Sequence, residues 1–153
     1  PLFVYTGRVA MEKNIEAFLD LDLPGTRCVI GDGPALEELK TRYPDVLFTG
    51  YKFAQDLASH VAAADVFVFP SHTDTFGLVM LEAMACGVPV AAYPVTGPVD
   101  VVIHGETGIL DQDLRMAALQ ALELDRDRCR EVAMKYTWQA ASQQFMDNLV
   151  PAC

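Results

Sequence analysis

The chain has 153 residues, of which 52% are hydrophobic, and a formal net charge of −10 at pH 7. This length and composition predict one folded domain with a single core, and they exclude an intrinsically disordered protein. The negative charge argues against general binding to nucleic acid or to an anionic membrane, because both need a basic surface.

Six short apolar runs predict β-strands at residues 2–6, 27–30, 46–49, 65–69, 88–93 and 108–110. Helical patterns lie between them, over residues 12–21, from Pro34 onward, over 56–64 and over 76–86. Strands that alternate with helices at this spacing indicate βαβ units, a parallel sheet and right-handed crossovers. The run DVFVF at 65–69 is continuously apolar, so it is expected in the middle of a sheet that is covered on both faces.

The character of the sequence changes after Asp111. Residues 114–124, 127–136 and 138–149 predict three helices with no strand between them. These helices cannot extend the sheet, so they are expected to pack on its face, on its edge or on another domain. No apolar run is long enough to span a bilayer, and the chain begins directly on a strand without Met, which favours an excised piece of a longer protein.

The cysteines and histidines give no sign of a metal site. Cys28, Cys86, Cys129 and Cys153 show neither close pairing nor metal-ligand spacing, so free or buried thiols in a reducing cytoplasm are expected. The histidines at positions 60, 72 and 104 are scattered and are each expected to be structural. His72 is the one worth testing, because it lies in the loop before Asp74.

The most informative stretch is residues 69–90, which read FPSHTDTFGLVMLEAMACGVPV. Its helix has a single charge, Glu82, and is otherwise apolar on every face, so it is expected to be buried. A buried carboxylate needs hydrogen-bond donors. The N-terminus of this helix follows a strand, so its free N–H groups should face the sheet edge at which open α/β sheets bind ligands.

We interpret this stretch as an anion and polyol site. The amides of Phe76, Gly77 and Leu78 would face a phosphate or a sugar, and the carboxylates of Asp74 and Glu82 would accept hydrogen bonds from hydroxyls. The alternative is that Asp74 and Thr75 only cap the helix and that Glu82 bonds a neighbouring loop. The local pattern leaves both interpretations open.

A second candidate cluster follows the first strand. Gly7 and Arg8 end that strand, and Lys13 lies in the first turn of the next predicted helix, where its charge opposes the helix dipole. Two cations at this edge of the sheet suit a diphosphate, because Arg makes forked contacts and Lys a point-charge contact. The alternative is that Lys13 pairs with Glu12 or Glu16 on the surface.

Three further loops are expected at the same edge. The turn at 31–33 begins with Gly31 but lacks the third glycine of a dinucleotide-binding motif, which favours a tight turn bordering a ligand over an NAD site. Tyr51 and Lys52 follow the third strand and could border a flat base, although Tyr51 is equally compatible with simple packing. The loop at 94–100 could let backbone N–H groups approach a sugar, or it could be a rigid connection.

Together, the motifs GR at 7–8, EKN at 12–14, GDGP at 31–34 and FVFPSHTDTFGLVMLEAMACGVPV at 67–90 resemble the C-terminal, donor-binding half of family 4 glycosyltransferases of the GT-B fold. The match extends over about residues 5–110. The resemblance implies an α/β fold with a Rossmann-like, doubly wound parallel sheet of about six strands and a helical C-terminal tail. Residues 1–153 would form this one domain, which would face a separate N-terminal acceptor domain across a cleft.

The resemblance also implies a retaining glycosyltransferase that moves a hexosyl group from a UDP-sugar or GDP-sugar to a lipid or saccharide acceptor, with no metal and no cofactor. Arg8 and Lys13 would bind the diphosphate and stabilise it as the leaving group. Asp74 would contact the hydroxyls of the donor sugar, and Glu82 would accept hydrogen bonds from the ribose. Further donor contacts would come from Gly7, Gly31, Tyr51, Lys52 and the backbone N–H groups of Phe76, Gly77, Leu78 and Val79.

The sequence departs from the family pattern at two positions. The family usually carries Glu at the position of Asp74, and it often carries Glu at the position of Asp100. Asp is shorter by one methylene, about 1.5 Å of reach, so the sugar would sit differently. A branch of the family that resembles sulfoquinovosyl- and mannosyl-transferases carries TDTFG in the same way. We therefore interpret these departures as a variant donor site rather than as a sign of an inactive enzyme.

The resemblance implies a cytoplasmic enzyme that can associate peripherally with a membrane, and no nucleic-acid partner. In the family the last helix crosses onto the N-terminal domain, so residues 138–149 would here expose or repack an apolar face, for example in a dimer. Two other functions stay open. One is a GT-B relative with other chemistry, such as a nucleotide-sugar epimerase or a phosphorylase, and the other is a non-enzymatic nucleotide-binding module.

Overall fold

The computed structural model describes residues 1–149, so the predicted thiol of Cys153 lies outside the described residues. Over the described range the strands β1 to β6 are Leu2–Thr6, Thr26–Ile30, Leu47–Gly50, Val66–Phe69, Val90–Ala92 and Gly108–Leu110. The helices α1 to α8 are Ile15–Leu19, Leu36–Arg42, Ala54–Ala62, Leu78–Ala85, Pro98–Val101, Leu114–Ala121, Arg126–Ala133 and Trp138–Asp147. A short 3-10 turn, Met11–Lys13, precedes α1.

The six strands form one parallel sheet in the order β3-β2-β1-β4-β5-β6. Val4 of β1, for example, pairs with Cys28 of β2 on one side and with Phe67 of β4 on the other. The strand order reverses direction between β1 and β4, which makes this the switch point at which doubly wound sheets bind ligands. The predicted α/β fold with a six-stranded, Rossmann-like parallel sheet is confirmed.

Successive residues of a strand point to opposite faces of the sheet, so apolar strands have two faces to bury. Helices cover both of them. Phe3 and Tyr5 point to one face, where they pack with α1, α2 and α6. Val4 and Phe67 point to the other face, where they pack with α3, α4 and α7. Every residue of β4 is buried, as the continuously apolar run predicts for a central strand.

Two predicted segments differ from the structure, namely those over 12–21 and 94–100, while the other elements differ at most at their ends. The helix predicted over 12–21 is divided into the 3-10 turn and α1, because Asn14 adopts a left-handed conformation with φ 52° and ψ 34°. The helix predicted from Pro34 begins at Leu36. The loop predicted at 94–100 contains the start of α5, where the Gly97 amide donates to Asp100 Oδ2 at 3.3 Å.

The three C-terminal helices pack differently from one another. Residues of α6 join the core on one face, and α7 packs against α4 on the other. In α7, Arg130 donates to the carbonyl of Ala85 at 2.7 Å, which satisfies an open acceptor at the end of α4. By contrast, α8 has no buried residue, and Trp138 is 83% exposed. The predicted exposed apolar surface at this end is therefore present, and no described helix is long and apolar enough to cross a membrane.

Candidate functional site at the switch point

A cleft of about 310 Å³ opens at the carboxyl ends of β1, β2 and β3, beside the switch point. Its lining residues are Thr6, Gly7, Arg8, Ile30, Gly31, Asp32, Tyr51, Lys52, Leu57, Val79 and Glu82. Seven of the predicted site residues therefore share one cleft, namely Gly7, Arg8, Gly31, Tyr51, Lys52, Val79 and Glu82. The other five, Lys13, Asp74, Phe76, Gly77 and Leu78, lie outside its lining, on the segments that follow β1 and β4.

The floor of the cleft is closely packed backbone. The amide of Gly7 donates to the carbonyl of Ile30 at 3.1 Å, and the amide of Gly31 donates to the carbonyl of Gly50 at 3.0 Å. Gly31 has a φ of 153°, and a Cβ at this position would overlap the carbonyl oxygen of Gly7. The close backbone approach predicted at 31–33 is thus confirmed, whereas the turn itself lies over residues 33–36, where the amide of Leu36 donates to the carbonyl of Gly33 at 3.1 Å.

Arg8 provides an exposed cation at the cleft. Its guanidinium lies 3.3 Å from Glu12, and the two side chains are 66% and 55% exposed. Such exposed pairs contribute little free energy, so the guanidinium is available to a ligand. The buried hydroxyl of Tyr5 donates to the backbone carbonyl of Arg8 at 2.9 Å. Burial, together with the nearby carboxylates of Asp74 and Glu12, raises the pKa of Tyr5, so this donor stays protonated.

Lys13 joins the segment after β1 to the loop after β4. Its Nζ lies 2.7 Å from Oδ2 of Asp74, and the two side chains are 28% and 23% exposed. The alternative in which Lys13 pairs with Glu12 or Glu16 is wrong, because those carboxylates pair with arginines instead. The cation and the carboxylate that the sequence singles out therefore lie in direct contact at the switch point.

The N-terminus of α4 follows directly on this loop. The helix begins after Gly77, which has a φ of 75°, and its first N–H groups have no acceptor within the helix. No side chain in the described part of the chain caps this end, so the alternative in which Asp74 and Thr75 only cap the helix is wrong. The free donors and the positive end of the dipole are directed to the ligand-binding edge.

The prediction that α4 is buried on every face is wrong. Met80 and Met84 are fully buried, but Leu78 is 60% exposed, and Glu82 is exposed in the cleft. The expected donors to Glu82 are also not found, since no described group donates to its carboxylate. Partial burial raises the pKa of this carboxyl above its ordinary value of 4.5, which leaves an acceptor that hydroxyl donors would stabilise.

The far side of the cleft is formed by the segment after β3. Tyr51 is 72% exposed, so the alternative of simple core packing does not describe it. The Nζ of Lys52 lies 3.3 Å from Asp56. His72 is not part of the cleft; its ring stacks on that of Tyr93, with centroids 4.2 Å apart.

Sequence reasoning missed several residues around the site. Thr6, Ile30 and Leu57 line the cleft but were not predicted to do so, whereas Asp32 belongs to the segment 31–33 that was expected to border a ligand. Thr6 and Ile30 are the last residues of their strands, and this position at the ligand-binding edge is a signal that could have identified them. The hydrogen bond from the Tyr5 hydroxyl to the carbonyl of Arg8 has no comparable signal in the sequence, because Tyr5 has the pattern of an ordinary strand residue.

The family model for glycosyl transferases group 1 matches residues 1–125. The chain belongs to this family. Within it, a sulfoquinovosyl transferase of Arabidopsis thaliana is 36% identical over 97% of this chain and 33% of its own length. A GDP-mannose-dependent alpha-mannosyltransferase of Corynebacterium glutamicum is 35% identical over 94% of this chain and 38% of its own length. The predicted resemblance is confirmed, and the chain spans about a third of the length of these group 1 relatives.

The comparison with solved structures agrees with this architecture. The pneumococcal O-GlcNAc transferase in complex with UDP and GlcNAc superposes with a TM-score of 0.76 and 19% identity. The superposition covers 95% of this chain and 34% of that chain. This likeness concerns the fold alone, and the chain again corresponds to about a third of the larger protein.

Proposed function

We propose that this chain is the donor-binding domain of a retaining glycosyltransferase that transfers a hexosyl group from a nucleoside-diphosphate sugar to a lipid or saccharide acceptor. The main support is the contact between Lys13 and Asp74 beside the cleft that contains Arg8 and Glu82. This arrangement offers cations to a diphosphate and carboxylates to sugar hydroxyls within one edge of the sheet. A UDP-sugar or GDP-sugar is the proposed donor, in line with the ligands that the similar proteins name.

In the proposed reaction an acceptor hydroxyl oxygen bonds to the anomeric carbon as the bond between that carbon and the diphosphate oxygen breaks. The bonding electrons pass to the leaving diphosphate, which also takes up the proton of the acceptor hydroxyl. Arg8 and Lys13 would stabilise the negative charge that develops there. The backbone N–H groups of Phe76, Gly77, Leu78 and Val79, with the positive end of the α4 dipole, would add to this stabilisation. With these groups in place, we propose that the reaction needs no metal or other cofactor.

The remaining contacts would orient the donor. Asp74 would accept hydrogen bonds from the sugar, and Glu82 would accept them from the ribose. Tyr51 and Lys52 would border the base, while Gly7 and Gly31 would let the backbone approach the nucleotide. The volume of the cleft, about 310 Å³, is at the lower end of the range for small-molecule sites.

The acceptor side is proposed to come from an N-terminal domain, since the chain spans about a third of its relatives. The exposed apolar residues of α8, such as Trp138 and Phe145, would contact that domain or, without it, a second copy of this chain. For the full-length enzyme we propose a cytoplasmic location, with peripheral association at the cytoplasmic face of a membrane.

The proposal is tested by calorimetric titration of the 153-residue chain with UDP, GDP, ADP and pyrophosphate. We expect UDP or GDP to bind more tightly than pyrophosphate, because the base and ribose contacts add to those of the diphosphate, and the comparison with ADP measures selectivity for the base. We also expect no sugar transfer by the chain alone. No nucleotide binding, or equal binding of nucleotides and pyrophosphate, would contradict the donor site. Retention is tested by the anomeric configuration of the product of the longer protein.

The pH dependence of nucleotide binding tests the role of Glu82. Ribose hydroxyls donate to the ionised carboxylate, so binding favours ionisation, whereas partial burial raises the pKa of Glu82 in the free chain. Affinity should therefore rise with pH up to and through the raised pKa of Glu82 in the free chain. Glu82→Gln should lack this rise, and at neutral pH it should bind the nucleotide more weakly by about 1.5 kcal/mol.

Ionisation of the ligand phosphates is shared by both proteins, so it cancels when the wild type is compared with Glu82→Gln. Pyrophosphate, which has no ribose, serves as the matched ligand and should bind equally to the two proteins. Identical pH profiles for the nucleotide, or equal losses for nucleotide and pyrophosphate, would show that Glu82 does not contact the ribose.

A further inference from the structure

Asn14 has an unusual backbone conformation at the switch point. Among the described non-glycine residues, Asn14 and Ala54 are the two with positive φ, and Asn14 has φ 52° and ψ 34°. Asparagine tolerates this left-handed region better than most side chains do. The conformation ends the 3-10 turn that contains Lys13 and starts α1, so the chain changes direction directly after Lys13.

The side chain of Asn14 bonds the same segment that Lys13 contacts. Its Nδ2 donates to the carbonyl of Pro70 at 2.9 Å, in a partly buried position. The adjacent Lys13 reaches Asp74, four residues further along that segment, at 2.7 Å. Two consecutive residues thus tie the connection after β1 to the loop after β4.

The Lys13 and Asn14 contacts differ in how firmly each can fix the position of the chain. Lys13 has a long, flexible side chain, and holding its ammonium group in one place costs side-chain entropy. The amide of Asn14 is short and is bonded to a buried proline at the end of a central strand. The Asn14 bond therefore fixes the backbone from which the Lys13 side chain starts, and so limits the positions that the Lys13–Asp74 pair can take.

We propose that Asn14 is a positioning residue of the donor site, whose hydrogen bond to Pro70 sets the Lys13–Asp74 pair in place for a diphosphate sugar. In this proposal the Asn14 side chain does not contact the ligand, and it affects binding only by positioning Lys13. The inference rests on the proposed function of the site, so its test must separate the two.

The test uses Asn14→Gly and Asn14→Asp in the 153-residue chain. Glycine keeps the left-handed backbone without strain but removes the amide, and aspartate keeps the shape of the side chain but cannot donate to Pro70 when ionised. Both variants should fold, with the thermal midpoint of Asn14→Asp below that of Asn14→Gly because its ionised carboxylate faces the carbonyl oxygen of Pro70. Both should bind UDP or GDP about fivefold more weakly, which corresponds to one hydrogen bond. Unchanged affinity in both would overturn the inference.

A double-mutant cycle distinguishes positioning from a general structural role. In a Lys13→Ala background, Asn14→Gly should cause no further loss of affinity, because its effect passes through Lys13. An equal loss in both backgrounds would overturn the inference. Amide hydrogen exchange gives a readout that needs no ligand. In Asn14→Gly the amides of the loop at residues 71–77 should exchange faster than in the wild type, whereas those of β2 and β3 should exchange at the wild-type rate.

The outcomes also separate this inference from the proposed function. If Lys13→Ala loses affinity and Asn14→Gly does not, the donor site stands and only the role of Asn14 is wrong. If the wild type binds none of the nucleotides, the proposed function fails and the inference fails with it.

Discussion

Replacing Lys13 by Ala is expected to weaken the binding of UDP or GDP by about 1.5–3 kcal/mol, or roughly 10- to 150-fold. This is the size of a hydrogen bond between charged groups. The ammonium group of Lys13 lies at the switch point, only partly exposed, and its partner Asp74 holds it at 2.7 Å. Removing it takes away one of the two cations, Arg8 and Lys13, that are proposed to bind the diphosphate. Calorimetric titration of the variant measures the loss.

Two matched variants separate this role from a loss of charge or of stability. Lys40→Ala removes an exposed lysine that pairs with Glu37 at 2.8 Å on α2, so it should leave nucleotide binding unchanged. Asp74→Asn removes the partner but keeps the charge of Lys13, so UDP or GDP should bind at least as tightly as to the wild type, while the nucleotide sugar loses affinity. Wild-type affinity in Lys13→Ala would show that Lys13 serves only to hold the loop.

Replacing Gly31 by Ala is expected to lower the free energy of unfolding by about 3 kcal/mol and to abolish nucleotide binding. The added Cβ would overlap the carbonyl oxygen of Gly7, a backbone atom that cannot rotate away. The φ of 153° adds strain for any residue with a side chain. The ends of β1 and β2 would have to separate, which displaces Arg8 and breaks the bond between Gly31 and Gly50. Urea denaturation measures the change in stability.

Gly105→Ala is the control for this prediction. Gly105 also has a positive φ, 79°, but no atom lies within 4 Å of a Cβ built there. It should therefore cost only the left-handed penalty of about 1 kcal/mol and leave binding intact. Similar losses in the two variants would mean that backbone conformation, rather than the contact with Gly7, makes Gly31 necessary.

Much of the fold was predictable because it follows from local pattern. The strand at residues 2–6 and the strand at 108–110 appear at the predicted bounds, and the buried run at 65–69 is a central strand. The predicted helix over 12–21 failed at Asn14, whose backbone is left-handed and whose side chain bonds Pro70, 56 residues away in sequence. The burial predicted for Glu82 failed for a similar reason, because whether a helix face is covered depends on loops from other strands.

The sequence by itself determined the class of the fold, the edge of the sheet that carries the polar residues, and the family. Hydrophobic periodicity and the spacing of Gly, Arg, Lys and Asp are local properties, so they can be seen without coordinates. Only the tertiary structure decided the strand order and the partners at the site, including the pairing of Lys13 with Asp74 across 61 residues. Such contacts form because β1 and β4 become neighbours in the sheet, and no local pattern in either segment encodes that adjacency.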